Sequence, residues 1–211
     1  MTPQDSSNQA AAICALAPVI PVLVVDAAEI AAELAEALVS GGLPALEVTL
    51  RTPAALDAIR EMAEVDGGVV GAGTLLTPED VVAAKEAGAL FGVTPGTTDR
   101  LIDAALDAEL PLLPGAATAT EALRLLERGF SMQKFFPAEA AGGAAALRAI
   151  GGPLPQVRFC PTGGISPSNV ADYLALPNVL CVGGSWVASG DMVSRRDWRG
   201  VERMAAEASA L

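Results

Sequence analysis

The chain has 211 residues, is 52% hydrophobic and 18% charged, and carries a net charge of −12. That length suits one globular domain, and the acidic balance excludes the basic face a nucleic-acid binder turns to phosphates, though not a local site for a small anion. There is no histidine, which removes Ser-His-Asp and Cys-His catalysis and every imidazole metal site, so acid–base work near neutral pH falls to a tuned carboxylate, lysine, tyrosine or cysteine.

Residues 6–25, SSNQAAAICALAPVIPVLVV, carry no charge. The segment before them lacks the basic start of a signal peptide, and Pro18 and Pro21 interrupt the apolar run. The stretch therefore predicts a short helix and then a buried strand, not a membrane span. Residues 1–8 are expected to be flexible and the protein cytoplasmic. Cys14, Cys160 and Cys181 form no CxxC pair and leave an odd count, which reads as free, buried thiols in a reducing compartment.

Further along, a helical stretch, a small turn and a short apolar strand recur. Candidate strands are 19–25, 45–50, 69–72, 90–93, 111–114, 132–135, 157–161 and 179–183, spaced by roughly 20–30 residues as βα units are. The helix predicted over 53–64 puts Leu56, Ile59 and Ala63 on one face. LRTP, LLTP and GISP mark helix starts, with Thr52, Thr77 and Ser166 as N-caps and proline following. Eight alternating units with no linker predict an α/β fold of one domain over 1–211, a (β/α)8 TIM barrel with a short N-terminal helix. The competitor, an open doubly wound sheet, would show fewer strands and a glycine-rich first turn.

In a barrel the chemistry lies where strands run into helices. In LEVTLRT, alternation puts Glu47, Thr49 and Arg51 on the inner face and Leu46, Val48 and Leu50 against helices. A buried Glu47–Arg51 ion pair is as good a reading as a functional one. Thr74 ends strand three and could donate to a carboxylate; Pro95 ends strand four and could wall a pocket; a tight turn and a helix cap explain them equally well. Lys134, in SMQKFFPAEAAGG, is one of only two lysines against eleven arginines. An amine, unlike guanidinium, can lose its proton and attack a carbonyl. Lys134 is thus a candidate Schiff-base lysine with Glu47 as proton-transfer partner, while Lys85 reads as a solvated helix residue. The pairs in PTGGIS and VGGSW follow strands seven and eight, where this barrel type binds phosphate. Gly163, Gly164, Gly184 and the hydroxyl of Ser185 are expected to form that cradle, with Thr162 facing the reacting centre.

The segments LEVTLRTPAALDAIR, VGAGTLLTPEDV, QKFFPAEAAGG, VRFCPTGGISPSN and LCVGGSW resemble, in order, the 2-keto-3-deoxy-6-phosphogluconate (KDPG) and 4-hydroxy-2-oxoglutarate (KHG) aldolase family. The resemblance implies a (β/α)8 barrel and a class I aldolase that needs no metal or cofactor. It puts the Schiff-base role on Lys134, acid–base work on Glu47, and carboxylate binding on Arg51 with Thr74 beside it. Pro95 and Phe136 would line the pyruvate pocket, Thr162 would touch substrate, and Gly163, Gly164, Gly184 and Ser185 would hold phosphate. The expected partner is a small phosphorylated keto acid, with no nucleic acid and no membrane, and family members are commonly homotrimers. Residue patterns alone leave two alternatives open: a phosphosugar isomerase or epimerase using Glu47 as base without a covalent step, and a non-catalytic phosphate-ligand-binding barrel.

Overall fold

The first element is α1 (Pro3–Cys14), capped by Thr2, whose Oγ1 accepts from Asp5 N at 3.2 Å, with Pro3 in the first turn. The computed structural model describes residues 1–211, and residues 1–8, expected to be flexible, are tied down in it. Ser6 Oγ accepts from Leu112 N at 2.9 Å, and Ser7 Oγ accepts from Ser131 N at 3.0 Å and Met132 N at 3.1 Å. Both serines are fully buried, so these hydroxyls satisfy strand N–H groups that water cannot reach.

The strands are β1 (Val19–Leu23), β2 (Ala45–Thr49), β3 (Val69–Gly73), β4 (Phe91–Val93), β5 (Leu112–Leu113), β6 (Gly115–Ala116), β7 (Met132–Phe135), β8 (Arg158–Pro161) and β9 (Val182–Gly184). Every pairing is parallel: six strands run in the order β5-β4-β3-β2-β1-β9 and three in the order β6-β7-β8. The fifth predicted strand, 111–114, reduces to β5, and a further short strand, β6, follows Pro114, which has no N–H to give a ladder. Isolated parallel bridges pair Phe159 of β8 with Val179 and Thr162 with Gly183 of β9. The eighth predicted strand shrinks to β9 plus the Val179 bridge. The architecture is an α/β fold with a curled parallel sheet.

Helices follow the strands: α2 (Ala31–Ser40), α3 (Ala55–Ala63), α4 (Pro78–Glu86), α5 (Asp99–Asp107), α6 (Ala119–Glu127), α7 (Gly143–Gly151), α8 (Val170–Leu174), α9 (Gly190–Ser194) and α10 (Trp198–Ser209). Thr77 caps α4 as expected, in a capping box with Asp80. Thr52 and Ser166 do not cap. The residue before α3 is Ala54, and Thr52 Oγ1 instead donates to Val25 O. Asn169 precedes α8, and its Oδ1 accepts from Ser166 N at 2.9 Å.

Two apolar cores result. Leu46, Val48, Ile59, Phe135 and Phe159 belong to the large one, between sheet and helices. A second, of nine residues, fills the inner face of the sheet and includes Ile20, Ala45, Phe91, Met132 and the three free cysteines, with Cys14 supplied by α1. The thiol of Cys181 is held up by the neighbouring thiols of Cys14 and Cys160 and by burial. The two cores follow from strand periodicity, since successive side chains take opposite faces.

Candidate active site

Lys134 lies on β7 in register with Gly115 of β6 and Cys160 of β8. Glu47 lies on β2 between Val22 of β1 and Gly71 of β3. Their side chains meet across the inner face: Lys134 Nζ donates to Glu47 Oε1 at 3.0 Å and to Oε2 at 3.3 Å. Lys134 is 4% exposed and Glu47 3%. Sequence distance is 87 residues, so only the fold makes this pair. The Lys134 ammonium also sits 5.5 Å from the centroid of the Phe136 ring, within cation–π range. Lys85, by contrast, donates to Glu109 O on the exposed surface.

Two glycines make room for the polar groups. A Cβ on Gly73 would overlap the Glu47 carboxylate, and one on Gly183 would overlap Thr162 Oγ1. Thr162 is buried just past β8 and contacts the Cys160 carbonyl at 3.5 Å. Thr74, the first residue beyond β3, has φ of 63° and is half-buried. A β-branched residue in the left-handed region is strained, and such strain collects at functional sites. The sequence offered no sign of that backbone state.

Arg51 lies beyond β2 rather than on it. β2 ends at Thr49, the chain turns, and Arg51 is exposed with no ion pair, so the buried Glu47–Arg51 pair considered from alternation is excluded. Thr49 does face inward, where its hydroxyl donates to Leu23 O at 2.9 Å. Pro95 and Phe136 are half-buried past the ends of β4 and β7. Gly163 and Gly164 turn the chain after β8 with φ of 103° and 80°, a conformation open to glycine. Gly184 is buried at the end of β9, where a Cβ would overlap the Trp186 ring, and Ser185 is exposed with its hydroxyl free of intramolecular hydrogen bonds.

Sequence reasoning missed Thr94 and Thr97. Thr94 is fully buried; its Oγ1 accepts from Gly115 N at 3.0 Å and lies 2.7 Å from Thr97 Oγ1, which donates to Gly115 O at 3.1 Å. This clasp fixes β6, the strand beside Lys134, just after the Pro114 break. The hydroxyl-rich run VTPGTT was the available signal.

No group of three His, Cys, Asp or Glu side chains is arranged to hold a metal ion, and no helix is long and apolar enough to cross a membrane. A buried amine within hydrogen-bond reach of a carboxylate can exchange a proton with it and act as a nucleophile. A parallel α/β sheet with such a pair on its inner face defines an α/β enzyme of the kind that works at the carboxyl edge of its sheet.

The comparisons with known proteins carry this further. The family described as KDPG and KHG aldolase matches residues 10–204. A KHG/KDPG aldolase of Escherichia coli strain K12 is 50% identical over 202 residues, covering 95% of each chain. Among solved structures, the KDPG aldolase of Zymomonas mobilis ZM4 with 3-phosphoglycerate superposes with a TM-score of 0.93 at 48% identity, covering 97% of this chain and 96% of that one. The KDPG aldolase of Legionella pneumophila, with pyruvate captured as a covalent carbinolamine, gives 0.91 at 45% identity, covering 94% of this chain and 97% of that one. The chain belongs to the KDPG and KHG aldolase family.

Proposed function

We propose that this protein is a class I, Schiff-base aldolase that cleaves KDPG to pyruvate and glyceraldehyde 3-phosphate and also acts on 4-hydroxy-2-oxoglutarate. The observation that carries the reading is the buried contact of 3.0 Å between Lys134 Nζ and Glu47 Oε1. The relatives bearing both activities in their names, and the carbinolamine formed with pyruvate in the Legionella enzyme, support it.

The steps follow from the chemistry of the pair. Lys134 gives up a proton, for which Glu47 is the nearest acceptor, and its nitrogen attacks the C2 carbonyl carbon. The carbonyl oxygen takes a proton, giving a carbinolamine, and loss of water leaves an iminium. Glu47, through a water, takes the C4 hydroxyl proton. The C3–C4 bond then breaks with its electron pair moving to C3, which yields the aldehyde and an enamine. C3 is protonated with Glu47 as the source, and water hydrolyses the iminium to pyruvate and free Lys134. The iminium lowers the barrier by giving the C3–C4 electrons somewhere to go.

Arg51, unpaired and two residues past the end of β2, is assigned the substrate carboxylate, with Thr74 beside it. Pro95 and Phe136 line the pyruvate pocket and Thr162 faces the reacting carbons. Gly163, Gly164, Gly184 and Ser185 hold the phosphate, a role supported by their backbone N–H groups and by the free Ser185 hydroxyl. Clamping both ends of the substrate over Lys134 contributes several kcal/mol by positioning, on the order of what oriented reactants gain.

The single domain is read as a closed (β/α)8 barrel. β5 and β6 adjoin across Pro114 and so link the two sheets on one side, and the bridges from Phe159 and Thr162 support closure on the other. A homotrimer is supported by Val24 and Leu76, exposed apolar residues past β1 and β3 that a second copy would cover. Three free thiols fit a cytoplasmic location.

Borohydride reduction in the presence of pyruvate tests the mechanism. The expected result is a pyruvate-sized mass gain on the peptide holding Lys134. Folded protein left unmodified at saturating pyruvate would exclude the imine and return the epimerase reading to the front.

A further inference from the structure

Behind the proposed phosphate cradle stands a buried tyrosine that the reaction steps do not use. Tyr173, on α8, is 1% exposed, and its hydroxyl donates to Glu139 Oε1. Burial, with the carboxylate beside it, pushes the Tyr173 hydroxyl well above its ordinary value, so it stays protonated and a donor. Glu139 is itself exposed, just past β7. Its backbone N–H donates to Gly163 O at 3.1 Å, and that of Ala138 donates to Thr162 O at 2.8 Å. Its side chain lies across Gly164, where a Cβ would come within 2.6 Å of Glu139 Cγ. Asn169 Nδ2 donates to Gly164 O at 3.0 Å and holds the turn from the other side.

The Gly163–Gly164 turn is thereby clamped by neighbours, since two glycines cannot hold a conformation alone. The clamp also fixes a carboxylate. Free to swing, Glu139 would carry a negative charge over the turn where an incoming phosphate must sit. The Tyr173 hydroxyl draws it toward the Gly143 backbone, at which a Cβ would lie 3.4 Å from Glu139 Oε1 and 3.5 Å from the Tyr173 hydroxyl. Breaking the pair would leave a buried hydroxyl or a mobile charge, and each is unfavourable.

We propose that Tyr173 and Glu139 are positioning residues that hold the Gly163–Gly164 turn for the substrate's phosphate and so set the preference for phosphorylated over phosphate-free 4-hydroxy-2-keto acids. The inference rests on the reading of that turn as the phosphate site.

Steady-state kinetics of Tyr173→Phe with KDPG and with 4-hydroxy-2-oxoglutarate test it. Losing one such hydrogen bond is expected to raise KM for KDPG about tenfold with kcat held within about twofold. The kcat/KM for 4-hydroxy-2-oxoglutarate should stay unchanged. Glu139→Ala loses the side chain that lies over Gly164 but also its charge, so its KM for KDPG should rise, though less than in Tyr173→Phe; lying at an exposed position, it carries the test if Tyr173→Phe does not fold. Glu139→Gln keeps an acceptor for Tyr173 and removes the charge, so its KM for KDPG should match or fall below that of the wild type. Equal losses on both substrates, or an unchanged ratio, would overturn the inference while leaving the aldolase reading intact. Wild-type protein that cleaves neither substrate overturns both.

Discussion

The inner face of the sheet has two regions built by the same strands. β2 contributes Ala45 and then Glu47, β7 contributes Met132 and then Lys134, and Cys160 of β8 is followed by Thr162. In each case one step of two residues along the strand changes an apolar floor into a polar site. The floor, with Ile20, Phe91 and Cys14 of α1 among its residues, is buried from water. The polar region above it keeps the Lys134–Glu47 pair just as dry, at 4% and 3% exposure. The floor thus contributes stability by burial, whereas the pair costs desolvation, a cost that the proposed chemistry would explain.

Five substitutions break or sharpen this contrast. The largest effect is expected from Lys134→Arg, which keeps the charge and removes the nucleophile: cleavage should fall by about 10⁴-fold or more, with no borohydride-trapped adduct. Wild-type-like turnover would move the nucleophile elsewhere. Lys134→Met strands Glu47 as an unpaired buried charge and should cost about 3–5 kcal/mol in urea unfolding. Adding Glu47→Leu, which makes the polar region resemble the floor, should recover most of that loss; if the double variant is as unstable as the single, the pair is not the source of the cost.

Phe91→Ala opens a cavity in the floor and should lose about 3–5 kcal/mol of stability, while the folded fraction keeps its kcat. A large fall in kcat in fully folded protein would mean that the two regions are mechanically coupled. The smallest effect is expected from Gly73→Ala, whose new Cβ overlaps the Glu47 carboxylate and forces it to move. It should cost about 1–3 kcal/mol, as overpacking does, and lower kcat while adduct formation on Lys134 persists.

Much of this was legible before any coordinates. The eight apolar runs, the parallel α/β class, the inward placement of Glu47 and the burial of Cys160 and Cys181 follow from period-two alternation and strand spacing. The buried Glu47–Arg51 pair failed because alternation says nothing of where a strand stops, and β2 stops at Thr49. Thr52 and Ser166 failed as caps because a hydroxyl before proline can equally bond a group in a neighbouring loop. The tying-down of residues 1–8 escaped notice because Ser6 and Ser7 are polar in composition yet bond N–H groups more than a hundred residues away.

The sequence by itself determined which residue types could do the chemistry: no histidine, two lysines, and glutamate on an inward strand position. Local periodicity is enough for that, since it depends only on neighbours along the chain. The tertiary structure decided that Lys134 and Glu47 meet at 3.0 Å, that Gly73 and Gly183 clear space for them, and that Tyr173 braces the glycine turn through Glu139. Each of these is a contact between distant segments, fixed by how parallel strands come into register and curl, and no local pattern encodes a distance across the sheet.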